Sequence, residues 1–444
     1  MVTLVPSLRA VSPARRRAGV AVIATSVLAV VIGAATALEP VLVLGLVVAC
    51  TTVVVMTLRI ETAVLVYIAV EPFSGYLTQV SSIAVKLVGL IVFVAWVLRL
   101  ATDDRPPTAR HPVTYAAGGL VLVVLAALVI HPNGMTGLVV ATRYVSYVAV
   151  LIVLVDTLRN RLDPWLLGRT LVLSSTVAAV VGIIVFVNEN GGRAAGPIED
   201  ANDFALHLLC ALPFALALGR RSGAHRALWA TAAVILVVAI AATFSRGGLL
   251  GLGVMLILAL ALQVLRWRTA MIGLAVVAVA VLVALVVAPD LMQRSLDEKQ
   301  HVASANVTSR FVGWTLAAEM TADAPVLGKG PGGYSVHYDE YLGSRVSDPP
   351  HLDVAHQMFL DVASELGLVG LGVFAAMILA GLTAAWRARS TPGPEPDRRL
   401  LATTVCVAFA GVLTGAMFLS SQYYLPVWLL LALAAALTPA RRSR

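Results

Sequence analysis

Apolar runs close to the ~20 residues that a helix needs to cross a bilayer follow one another along this chain, and that repetition leaves it few folds. They are read at 20–38, 41–58, 62–73, 83–100, 113–130, 138–158, 166–187, 204–218, 227–244, 249–265, 270–288, 366–386, 401–419 and 426–437. The run at 62–73 is short and broken by Pro72, so about 12–14 spanning helices are expected. Hydrocarbon offers no partner to a backbone N–H or C=O, so such segments cross as helices. The expected fold is therefore all-α, a polytopic integral membrane protein. Composition agrees: 59% hydrophobic, 13% charged and a mean hydropathy of +0.90, values that a water-soluble domain does not sustain.

The formal charge of +8 is spread in short arginine clusters between apolar runs, which is how membrane helices are oriented and not how nucleic acid is gripped. With Arg15, Arg16 and Arg17 in the cytoplasm, strict alternation puts Arg59, Arg99, Arg159, Arg220, Arg266, Arg387 and Arg441 there too. The cations left on the far side or inside the membrane then stand out: Lys86, Arg143, Arg193, Arg246, Arg294, Lys299, Arg310, Lys329 and Arg345. The first cluster with the run ending at Ala35-Thr36-Ala37 resembles a cleaved signal, but the next run follows at once after Glu39-Pro40, as in a helical hairpin. Cys50, Cys210 and Cys406 lie singly in apolar runs, which leaves no disulfide framework and no CxxC pair. The expected organisation is a cytoplasmic tail (1–18), a transmembrane bundle (19–288), a large extracytoplasmic loop (289–365), further transmembrane helices (366–438) and a second tail (439–444).

Loops as long as 289–365 are functional or disordered, and its aromatic residues and the amphipathic stretch 309–320 favour order. At its end Asp353 is placed to cap a helix whose first turn is Val354-Ala355-His356. Gln357, Asp361, Ser364 and Glu365 then share a polar arc and His356 falls on the apolar one. The helix dipole favours a neutral imidazole at that position. Such a group either accepts a proton or simply hydrogen-bonds loop backbone at the interface.

Arg246, in Thr243-Phe244-Ser245-Arg246-Gly247-Gly248, joins two helices with almost no loop. Its guanidinium fork suits phosphate oxygens and the glycines let a ligand approach the backbone; the alternative is snorkelling to lipid head groups. Arg310 and Trp314 stand at helical spacing, able to share one face of a helix on the membrane, unless Arg310 is an ordinary solvated loop cation. The stretch Gly328-Lys329-Gly330-Pro331-Gly332-Gly333-Tyr334 looks like a phosphate loop but lacks its Lys-Ser/Thr ending, so a tight turn is expected. Arg193 and Asn202 line another loop at a helix start, and Arg143 falls inside an apolar run, where a charge is a functional candidate by default. No HExxH motif, nucleophile elbow or metal-binding carboxylate cluster is present. A set of arginines, one histidine and apolar walls suits a substrate with an anionic head and a lipid tail, such as a polyprenyl-diphosphate-linked sugar.

Taken in order, Asp200-Ala201-Asn202-Asp203-Phe204-Ala205 with Leu212-Pro213, Ser245-Arg246-Gly247-Gly248, Ser309-Arg310 with Trp314, Gly328-Lys329-Gly330-Pro331-Gly332, and His356-Gln357 with Glu365-Leu366-Gly367-Leu368-Val369-Gly370 resemble the O-antigen ligase and polymerase family of membrane glycosyltransferases. Gln357 stands where that family usually has asparagine, and it keeps the amide. The resemblance implies a GT-C-like bundle in the bacterial cytoplasmic membrane with its active site on the extracytoplasmic side. It implies catalytic roles for His356, Arg310 and Arg246, with Arg193, Asn202, Trp314, Lys329, Tyr334, Gln357 and Arg143 as substrate-binding candidates and no metal or cofactor. The implied partners are an undecaprenyl-diphosphate-linked glycan, an acceptor glycan or glycolipid, membrane lipids and other cell-envelope polysaccharide assembly proteins, with no nucleic acid. Two rivals stay open. A lipid-linked glycan flippase would show repeated halves and paired midplane charges. A peptidoglycan polymerase of the shape/elongation/division type would depend on Asp353, Asp361 or Glu365.

Overall fold

The computed structural model describes residues 40–81, 83–102, 107–188, 193–287, 309–343, 352–391 and 395–438. The predicted run 20–38, the Arg15–Arg17 cluster, Arg294, Lys299 and Arg345 lie outside them. Two units are distinguished, Met1–Leu58 and Arg59–Arg444. In the first, α1 (Pro40–Leu58) is a single apolar helix.

The second unit is helical throughout its described residues apart from short turns. It runs α2 (Ile60–Val70), α3 (Ser74–Val80), α4 (Ala84–Thr102), α5 (Pro112–Ile130), α6 (Gly134–Asn160), α7 (Pro164–Asn188), α8 (Ala201–Arg221), α9 (Arg226–Ala242), α10 (Arg246–Ala261) and α11 (Trp267–Val287). After the large loop come α14 (Met358–Ser390), α15 (Pro396–Ala416) and α16 (Leu425–Ala436); within the loop lie α12 (residues 309–323) and α13 (Gly333–Leu342). Eight helical segments among the described residues are long and apolar enough to span a membrane. Helices α9, α10 and α16 are apolar but shorter.

One expectation changes and another is extended. Pro72 does not end the third run: a 3-10 turn over Glu71–Phe73 carries the chain from α2 into α3, and the whole reads as one span, Ile60–Val80. The proline sits in the first turn of its element, where its missing N–H costs nothing. The large loop is helical over its amphipathic stretch 309–320, as expected, and holds a second helix, α13, besides; the two pack around a small apolar core of Leu316, Met320, Tyr334, Tyr338 and Leu342.

Helices α8, α15 and α16 are buried on nearly every face, so they form the centre of the unit. Around them α5, α7 and α10 keep Leu122, Ile184 and Ile257 exposed as apolar surface. Gly251 of α10 lies so close to α15 that a Cβ there would stand 2.6 Å from the Gly411 carbonyl oxygen. Small residues that let backbones approach in this way hold membrane helices together by packing alone.

At the end of the bundle predicted to face the cytoplasm, the arginines are consumed by structure. Arg99 pairs with Asp156 in the interior, and Asp156 also accepts from the Trp96 indole N–H (2.9 Å) and the Thr108 N–H (2.8 Å). Arg159 donates to the carbonyls of Thr108 (2.7 Å) and Ala435 (2.8 Å), the second at the C-terminus of α16. Arg221 pairs with Asp397 at 2.9 Å.

Candidate active site

At the other end, three turns converge. Asp200 caps α8, its carboxylate accepting from the N–H groups of Asn202 (2.7 Å) and Asp203 (3.0 Å). Ser245 caps α10 by accepting from the Gly248 N–H at 3.2 Å, which presents Arg246 as the first helical residue, exposed. His356 stands just before α14. Four non-glycine residues among those described have a left-handed backbone, and three of them are Glu199, Phe244 and His356. Strain of this kind costs ~1–3 kcal/mol per residue and persists where surrounding structure holds it; here it sits beside Asp200, beside Ser245-Arg246 and on the histidine itself.

The side chains at these turns lie within electrostatic reach of one another. Burial lowers the pKa of the Arg310 guanidinium, and Arg193 and Arg246 lower it further, with Asp200 opposing. Burial likewise lowers His356 below the usual histidine range, then Arg310 adds to the effect and Asp200 opposes it. The neutral imidazole is thus favoured, but chiefly by burial and a neighbouring cation. Arg310 has no hydrogen bond or ion pair among the described residues, and its buried Nε has no partner. The indole N–H of Trp314, one turn along α12, is also buried without an acceptor.

Arg193 and Asn202 prove to be partners: Arg193 donates to the Asn202 side-chain oxygen at 2.6 Å and to the Thr243 carbonyl at 3.0 Å. The pair ties the Thr243–Arg246 turn to the start of α8. The glycines after Arg246 face helices instead of a ligand: a Cβ on Gly248 would meet Ala205 at 2.7 Å, and one on Gly247 would meet Phe418.

The cap before α14 is Gln357 and not Asp353; its side-chain oxygen accepts from the Leu360 N–H. His356 therefore lies outside the helix, and the expected polar arc of Asp361, Ser364 and Glu365 points inward, at 1%, 0% and 5% exposure. These groups hold loops in place. Asp361 accepts from the Ala355 N–H at 2.7 Å, and Glu365 accepts from the Gly332 N–H (3.0 Å) and the Tyr423 hydroxyl (2.9 Å).

The glycine-rich stretch is the tight turn expected of it, docked on a break in α14. Gly367 has φ +68° and ψ −171°, and a Cβ there would stand 2.3 Å from the Val326 carbonyl oxygen. The backbone of Lys329 donates to the Ser364 carbonyl (2.8 Å), and the Asn133 amide donates to the carbonyls of Lys329 (2.8 Å) and Pro331 (3.0 Å). The Lys329 ammonium sits over the Tyr341 ring, 5.0 Å from its centroid. Tyr334 is fully buried and donates to the Gly313 carbonyl at 3.3 Å. Arg143, expected to be buried, is exposed on α6 with its guanidinium 5.8 Å from the Tyr423 ring centroid.

A family model described as O-antigen ligase matches residues 231–375, the segment that contains Arg246, Arg310, the docked glycine turn and His356. Over this segment the chain is similar to the O-antigen ligase family, the family its motifs resemble. No curated protein matches the chain. Arg193, Asn202 and Arg143 lie before the O-antigen ligase match, and the fold brings the first two to it. Among the described residues no three His, Cys, Asp or Glu side chains gather as metal ligands.

Sequence reasoning missed Glu71, Tyr147, Tyr423 and Tyr424. Each stands at or inside an apolar run with no motif around it; the fold brings Glu71, Tyr147 and Tyr424 within electrostatic reach of one another and Tyr423 onto Glu365.

Proposed function

We propose that this O-antigen ligase-like protein transfers a glycan from a polyprenyl diphosphate, of the undecaprenyl class, onto an acceptor hydroxyl at the outer face of the bacterial cytoplasmic membrane. The observation that carries the reading is Arg310: a half-buried guanidinium with no ion pair among the described residues, beside Arg193 and Arg246 and next to His356. Gathering like charges while desolvating them is unfavourable until an anion arrives. A diphosphate is such an anion, and its charge grows as it leaves the sugar.

In the reaction, the acceptor hydroxyl attacks the anomeric carbon while the neutral His356 imidazole takes the hydroxyl proton. The bond to the diphosphate oxygen breaks, and Arg310 and Arg246 stabilise the departing charge. A single displacement inverts the anomeric centre. Asp361, through the Ala355 N–H, fixes the strained turn that carries His356. Arg193, already engaged with Asn202 and Thr243, orients the turn that presents Arg246.

The test is to incubate the purified protein with an undecaprenyl-diphosphate oligosaccharide and candidate acceptors, with and without a chelator, alongside His356→Ala, Arg310→Ala and Arg246→Ala. Loss of transfer in the variants is expected. Full activity in all three would sink the mechanism, and loss in chelator would sink its metal-free part alone.

A further inference from the structure

Glu71 lies in the apolar span Ile60–Val80 and is 7% exposed, yet its carboxylate has no hydrogen bond or ion pair among the described residues. Burying an unpaired carboxylate costs several kcal/mol, and in a membrane segment such a group marks function before structure. It is surrounded by phenols that reach it electrostatically without hydrogen-bonding it: Tyr67 from its own element, Tyr147 from α6 and Tyr424 from the turn before α16. Asp203, in the first turn of α8, lies within the same reach of Tyr147 and Tyr424. The Tyr424 hydroxyl is buried and has no hydrogen-bond partner among the described residues. Tyr147 is fixed by stacking on the buried Trp428, ring centroids 5.9 Å apart.

We propose that Glu71, Asp203, Tyr147 and Tyr424 form a binding site for the hydroxyl groups of a sugar, adjoining the arginine cluster. The chemistry selects the ligand. Carboxylates need hydrogen-bond donors and phenols need acceptors or donors in return, and a sugar hydroxyl supplies both at once. A metal ion or ammonium would serve Glu71 and leave Tyr424 unmet; a second phosphate would be repelled by both acids.

The position follows from Asp200, which acts electrostatically on Arg310 and His356 on one side and on Tyr424 on the other. The element carrying Glu71 is held to that segment. Gln79 donates to Glu199 at 2.7 Å, and Gly75 packs so closely on the Pro197 carbonyl that a Cβ would stand 2.5 Å away. Resting on the glycosyl-transfer reading, the site takes the sugar attached directly to the diphosphate, so it sets donor specificity while the arginines hold the head group common to all donors.

Full-length protein in nanodiscs is titrated with undecaprenyl diphosphate and with undecaprenyl-diphosphate-linked glucose, galactose and N-acetylglucosamine, binding being read by native mass spectrometry. At least one sugar is expected to tighten binding over the bare lipid. Glu71→Gln and Tyr424→Phe should each remove about tenfold of that gain, the worth of one or two hydrogen bonds, and leave affinity for the bare lipid unchanged. The melting temperature of Glu71→Gln should be no lower than wild type, because no partner is lost; a fall would mark Glu71 as structural and overturn the proposal. So would a sugar-dependent gain that persists in both variants, or none for any of the three sugars while the bare lipid binds. Failure of the wild type to bind even the bare lipid overturns the glycosyl-transfer reading itself, and this site with it.

Discussion

The two ends of the helical unit use arginine in opposite ways. At the end predicted to be cytoplasmic, Arg99 is locked to Asp156, Arg159 is spent on carbonyls from the chain before α5 and from the C-terminus of α16, and Arg221 pairs with Asp397. At the other end Arg246 is exposed and Arg310 is half-buried without a partner among the described residues. A satisfied guanidinium reports how the helices are held; an unsatisfied one reports what they are held for. The same side chain is a rivet at one end and, on the proposed reading, a docking point at the other, and the hydrogen bonds each makes tell them apart.

Removing a rivet should unfold the protein without touching its chemistry. Asp156→Asn leaves the Arg99 charge buried and uncompensated, so about 3–5 kcal/mol of stability is expected to go, read as a lower melting temperature with lipid-diphosphate binding per folded molecule unchanged. Removing a docking point should do the reverse: Arg310→Ala is expected to slow glycan transfer by about 10²–10³-fold at equal or higher melting temperature. If Arg310→Ala destabilises as Asp156→Asn does, the contrast between the ends collapses.

A third substitution checks that the docked glycine turn belongs with the rivets. Gly367→Ala forces a Cβ against the Val326 carbonyl in a left-handed conformation, costing about 3 kcal/mol and loosening the turn that carries Lys329. The smallest effect separates burial from charge at His356. Its lowered pKa keeps the imidazole neutral to lower pH than an ordinary histidine, so reaction of His356 with diethyl pyrocarbonate should fade only as pH falls through that lowered value. Arg310→Gln removes one cause of the lowering and should move the midpoint to higher pH. An unmoved midpoint would leave burial as the whole cause.

Much of the helical layout was legible because a spanning run is a local property. The expected runs at 83–100, 113–130 and 166–187 differ from α4, α5 and α7 by no more than two residues at either end. Misreadings fell where a neighbour overrode the local signal. Pro72 looked like a helix break and became the first turn of a continuing one. Asp353 looked like a cap, but Gln357 took that role once Asp361 turned inward to hold Ala355. The glycines of Ser245-Arg246-Gly247-Gly248 looked like a ligand's approach path and serve helix contact instead.

The sequence by itself determined a helical membrane protein, a family resemblance and the short roster of arginines and histidine from which a diphosphate site can be built, because each rests on composition or on a motif a few residues long. Only the tertiary structure decided which of those side chains are free. Asp200, Arg246, Arg310 and His356 come from segments more than 150 residues apart at their extremes, and whether a guanidinium is spent or open depends on groups that no local pattern can foresee. Glu71 is the sharpest instance: an ordinary acid before a proline in the chain, and in the fold a buried carboxylate ringed by phenols and without a hydrogen bond or ion pair among the described residues.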